Sequence, residues 1–93
     1  MTQPVIRDAL QVEKDGRVRL TATFEPASTA VWVDGGFVGL LTMHRAGKEY
    51  TVLRPGRLRR KRFGKKHLAV TWLVAMALKD GVVDPPKPAA RNY

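Results

Sequence analysis

Lys66-His67-Leu68-Ala69-Val70-Thr71-Trp72-Leu73-Val74-Ala75-Met76-Ala77-Leu78-Lys79 is the stretch whose reading decides the architecture. No Gly or Pro interrupts it, and it is far longer than a buried strand, so it predicts a helix from about Lys66 to Lys79. From Leu68 to Leu78 only Thr71 is polar. Thr71 can bond back to a carbonyl one turn earlier, so it does not mark a solvent face. Eleven such residues fall well short of the roughly 20 that span a bilayer. Asp80-Gly81 supplies a C-cap, Lys79 complements the helix dipole, and Val82 is placed for the usual apolar contact beyond the cap. A helix without a polar stripe must be covered on more than one side. Either a sheet curls around it or a second copy packs on it. The second option predicts a homodimer through Val70, Trp72, Val74, Ala77 and Leu78.

Upstream the period changes from helical to alternating. Val18, Leu20, Ala22 and Phe24 fall on one face of residues 17–25, with Arg17, Arg19, Thr21, Thr23 and Glu25 on the other. Ile6, Leu10 and Val12 share parity on the far side of Lys14-Asp15-Gly16. A three-residue loop there pairs Val12 with Val18, Leu10 with Leu20, Ile6 with Phe24 and Glu13 with Arg17. This predicts a first hairpin, frayed near Asp8. A second is expected at Gly35-Gly36, with Val33 facing Val38, Val31 facing Leu40 and Trp32 across from Gly39. Its strand runs to Met43, Arg45-Ala46-Gly47-Lys48 turns, and Glu49 to Arg54 follows with Tyr50 and Val52 on one face. Pro55-Gly56 suits a type II turn. Leu58 and Phe63 are five apart, so a bulge or irregular loop must lie between them. Phe24 and Trp72 fit core positions.

The expected fold is therefore α+β: antiparallel β-hairpins forming one curved sheet of about 4–6 strands, packed on a single C-terminal α-helix. Ninety-three residues suffice for one core. Residues 1–83 are expected to form a compact domain and 84–93, with Pro85, Pro86 and Pro88, a flexible tail.

Several chemistries are disfavoured by composition. The chain has no cysteine, which excludes disulfides, thiolate metal sites and a cysteine nucleophile. Its one serine, Ser28, lies in a Pro26-Ala27-Ser28-Thr29 turn, and His44 and His67 form no metal-ligand spacing with carboxylates. No catalytic residue, metal or cofactor is expected. Met1-Thr2-Gln3-Pro4 lacks the pattern of a signal peptide, so a cytoplasmic protein without membrane contact is expected.

Charge is the informative feature. Lys and Arg total 17 against 8 acidic residues, a net charge of +9. Arg54, Arg57, Arg59, Arg60, Lys61, Arg62, Lys65 and Lys66 supply eight of these cations within thirteen residues that hold no acid. Elsewhere nine basic and eight acidic residues nearly cancel. A phosphate backbone is the natural counterpart, since neutralising it releases condensed counterions, and arginine forks suit phosphate or guanine edges. Nuclease chemistry would want a carboxylate-held metal, and none can form within 54–66. Lys65, Lys66 and His67 crowd the positive end of the helix dipole, where Gly64 is the nearest capping residue and an anion would relieve the repulsion.

These features predict a nucleic-acid-binding protein, DNA favoured over RNA and duplex DNA first, contacting it through residues 54–66. One alternative is a module docking an acidic protein surface. Another is single-stranded DNA or RNA stacking on Trp32, Phe37 and Tyr50 if their sheet face is open. In architecture alone, hairpins followed by one helix are similar to the DNA-reading modules of integrase arm domains and to the single-strand-binding coactivator type, though the chain carries no diagnostic motif of either.

Overall fold

The apolar stretch is helical over the residues read for it. In the computed structural model, which describes residues 3–86, the C-terminal helix α2 spans Lys66–Lys79. Its end is a two-bond glycine cap: Val82 N–H donates to Ala77 O at 2.9 Å and Gly81 N–H to Leu78 O at 3.1 Å, with Gly81 at φ +75°. The apolar contact beyond the cap comes from Val83, which is buried, and not from Val82, which is exposed.

Five strands precede α2: β1 (Val18–Ala22), β2 (Ser28–Val33), β3 (Gly36–His44), β4 (Glu49–Leu53) and β5 (Lys61–Phe63). They form one curved, unclosed antiparallel sheet in the order β1-β2-β3-β4-β5. The expected α+β architecture is what the chain adopts. Pairing places Val31 beside Gly39, Leu41 beside Val52 and Tyr50 beside Phe63, and this face meets α2. Gly39 lets the helix settle. A Cβ there would lie 2.6 Å from Leu73 Cδ2, and Leu73 is fully buried. Burial of a leucine of this kind contributes about 1.5–3 kcal/mol.

The N-terminal segment departs from the expectation. Residues Gln3–Lys14 form a helix, α1, and not the first strand of a hairpin. Its buried stripe is Ala9 and Val12, with half-buried Val5 one turn earlier, at helical spacing. Ile6 and Leu10, read as strand positions, are 39% and 51% exposed. Lys14-Asp15-Gly16 is a helix cap of the same kind as that of α2: Gly16 N–H donates to Glu13 O and Arg17 N–H to Val12 O. The partner of β1 is therefore β2, through the loop 23–27. Phe24, expected in the core, lies in that loop and is fully exposed.

The new helix answers the question of cover. α1 packs on α2, and Thr71 Oγ1 donates to Glu13 Oε2 at 2.7 Å, so the hydroxyl is satisfied across the helix pair and not by its own backbone. Held between sheet and α1, Val70, Val74 and Ala77 are buried within one chain, while Trp72 and Leu78 are half-buried against the same core. The argument for a homodimer through these five residues loses its premise, because the apolar surplus is absorbed internally.

The β2–β3 turn also shifts by one residue. Val33 pairs with Gly36, so Asp34-Gly35 is the two-residue loop and not Gly35-Gly36. Both loop residues have positive φ, +53° and +83°, as a type I′ turn requires. Trp32 consequently pairs with Phe37, and a bulge accommodates Val38. Arg17 holds the turn: its Nε donates to Asp34 Oδ1 at 2.9 Å, and this bond keeps the Asp34 carboxyl below its ordinary pKa. Arg17 Nη2 also donates to Asp84 O at 2.9 Å, fixing the start of the expected tail. Residues 87–93 of that tail lie outside the described residues.

Gly39→Ala is expected to lower stability by about 1–3 kcal/mol, since Leu73 or the Leu53 carbonyl must move. The urea midpoint should fall at unchanged m, and G39A/L73A should cost less than the sum of its single changes. An unchanged midpoint for G39A would mean that α2 is not seated on β3.

Candidate nucleic-acid interface

Antiparallel order decides where the basic residues stand. The loop after β4 leaves the sheet at the end where α2 finishes, as the Arg54 Nη1–Asp80 Oδ2 contact of 3.2 Å shows. Strand β5 then returns along the sheet edge to the opposite end, where α2 begins. Lys66 there borders the same hollow as Pro26, Ala27, Met43 and Tyr50. The cationic segment is thus drawn out along one edge of the sheet.

Its eight cations divide into two groups. Arg54 and Lys61 are committed to the fold. Arg54 Cζ stands 5.6 Å from the Trp72 ring centroid, and Lys61 Nζ is 5.7 Å from the same ring and 5.8 Å from Phe63. Phe63 completes the cluster with its centroid 5.8 Å from that of Trp72. These contacts moor β5 to α2, and the Arg54 side chain is only 16% exposed. The other six, Arg57, Arg59, Arg60, Arg62, Lys65 and Lys66, are exposed. Arg62 is 80% exposed and reaches Glu49 at 4.0 Å. The remaining five make no ion pair among the described residues.

Two further cations join this surface from the β3–β4 turn. Arg45 and Lys48 are exposed at the end of the sheet where Lys65 and Lys66 stand. Sequence reading assigned them only to a turn. The clue available was topological: in an antiparallel meander every second loop falls at the same end. The start of α2 is as bare as expected, but its N-cap is Lys65 and not Gly64, and no side chain bonds to it.

The proposed stacking trio does not assemble. Trp32 and Phe37 share the sheet face turned away from both helices, with centroids 5.5 Å apart in an edge-to-face arrangement. Trp32 Nε1 donates to Thr21 Oγ1 at 2.7 Å, and Arg19 pairs directly across from Trp32. Tyr50 lies on the opposite face, pairs with Phe63 and packs half-buried against the core. The open face further carries Ser28, Thr42 and Thr51, with Ser28 Oγ and Thr42 Oγ1 3.2 Å apart and His44 Nε2 3.0 Å from Thr51 Oγ1.

Among the described residues, no three His, Asp or Glu side chains gather as a metal site, and no helix is long and apolar enough to cross a membrane. Compared with known protein families, with curated proteins and with solved structures, the chain matches none.

The two groups of cations should separate by experiment. Arg54→Ala is expected to cost about 1–2 kcal/mol of stability through its ring contact and ion pair. R59A/R60A should stay within about 0.5 kcal/mol of wild type. Urea melts of the two variants make the comparison, and a stability loss in R59A/R60A matching that of R54A would contradict the division.

Proposed function

We propose that the protein binds nucleic acid, duplex DNA in the first place, along the edge formed by the β4–β5 loop, β5 and the start of α2. The observation that carries this reading is the row of six exposed cations on one edge, of which only Arg62 has an acidic neighbour. A protruding edge can follow a phosphate backbone or enter a groove, and each phosphate neutralised releases counterions. Arg45 and Lys48 extend the same field at one end. Arg54 and Lys61 act indirectly, by holding the edge strand in place.

A second reading has a specific observation in its favour. Trp32, Phe37 and Arg19 lie together on the sheet face that neither helix covers, and such a surface suits stacked single-stranded bases. Tyr50 takes no part in it.

Affinity measured by fluorescence anisotropy for duplex DNA, single-stranded DNA and RNA over a salt series tests both. With four to six of the free cations on phosphates, the log–log slope for the duplex should be about −4 to −5. R59E/R60E should weaken binding at every salt concentration and flatten that slope. Preference for single strands, lost in W32A, would favour the open face. Absence of salt-sensitive binding to all three polymers would refute the proposal.

A further inference from the structure

We propose that Leu58 is an apolar wedge that inserts between base steps of duplex DNA, so that binding bends the duplex. The inference rests on the nucleic-acid reading above and adds to it a mode of contact and a mechanical consequence.

Leu58 is 99% exposed, at the centre of the most cationic loop of the chain. Single exposed leucines are ordinary on protein surfaces. Leu58 is distinguished by its setting. Its neighbours Arg57, Arg59 and Arg60 are all exposed, and no acidic residue occurs from 54 to 66. Exposed Ile6, Leu10 and Leu68, by contrast, lie on the paired helices and are about half covered.

The loop is also held at both bases. On one side Arg54 is pinned by Asp80 and Trp72, and the Pro55-Gly56 turn closes with Arg57 N–H donating to Arg54 O at 3.1 Å, Gly56 taking φ +73°. On the other side Phe63 packs on Trp72 and β5 pairs with β4. Residues 57–60 therefore project from a fixed support, with guanidinium groups on both sides of one branched apolar side chain. In the minor groove such an arrangement places arginines on the phosphates and the groove floor while the leucine enters between two steps. Unstacking a step costs a few kcal/mol, offset by the contacts a bent duplex gains with the cationic edge. The side chain touches nothing in the protein that would have to move.

The test compares wild type, L58A and L58F in ligase-catalysed circularisation of a roughly 100-bp duplex, shorter than the ~150-bp persistence length, with affinity measured in parallel. Wild type should raise circle yield well above the protein-free level. L58A should bind within about threefold of wild type with an unchanged salt slope, because no charge is removed, yet leave the yield at background. L58F should restore bending. Both variants should keep the wild-type urea midpoint, given the exposure of Leu58. Wild type that binds without bending, or L58A that bends as well as wild type, would overturn the wedge and leave the nucleic-acid reading standing. Wild type without salt-sensitive affinity for the duplex would overturn that reading, and the wedge with it.

Discussion

A helix with no polar face has to be enclosed, and the rest of this structure is arranged to enclose α2. Seven of its fourteen residues are buried, on opposite sides of the helix axis. One side is taken by the sheet, and Gly39 permits the approach of Leu73. The other is taken by α1, whose small buried residues Ala9 and Val12 allow two helices to lie close. The one hydroxyl inside this arrangement, on Thr71, is satisfied by Glu13, a charged-group hydrogen bond worth roughly 1.5–3 kcal/mol. Because the chain encloses its own helix, it needs no second copy to hide it.

That enclosure determines where charge can go. With α2 interior to the layers, the cations of residues 54–66 are left to the sheet edge, where lysine and arginine also discourage edge-to-edge pairing with other chains. Two of them bend inward over Trp72 and moor the edge strand. The others face water on a support that is fixed from beneath. A mobile basic tail would offer the same charge without position. Here the cations stand in a defined row, and Leu58 projects from the middle of the loop at one end of that row.

Much of this was legible. The limits of α2, its glycine cap, the turn at Pro55-Gly56, the irregular 57–60 segment and the facing of Tyr50 with Val52 all follow from local chemistry. α1 was not, and the reason is specific. Lys-Asp-Gly occurs at 14–16 and again at 79–81, and in both places it ends a helix. At 79–81 a long apolar run made the cap obvious. At 14–16 the alternation of residues 17–25 favoured a hairpin, and the true stripe, Val5, Ala9 and Val12, is short and built from small side chains. The shift from Gly35-Gly36 to Asp34-Gly35 has a similar origin, since Asp tolerates positive φ in a type I′ turn and either pair satisfies local rules. Only the bulge at Val38 distinguishes the registers. The individual cations of the candidate site were visible in the sequence. Their division into anchored and free was not, because it depends on Trp72 lying beneath β5, and so on how α2 sits on the sheet.

The central claim is that the free cations of this edge, and not the open sheet face or the helix pair, form the nucleic-acid surface. Backbone amide shifts of the labelled protein, followed by NMR while a short duplex is added at low salt, test it residue by residue. The account predicts that the largest changes fall at residues 57–63 and 65–67, while α1 and the Asp34-Gly35 turn stay unmoved. Changes concentrated at Trp32 and Phe37 or along α1, or no changes at all, would contradict it.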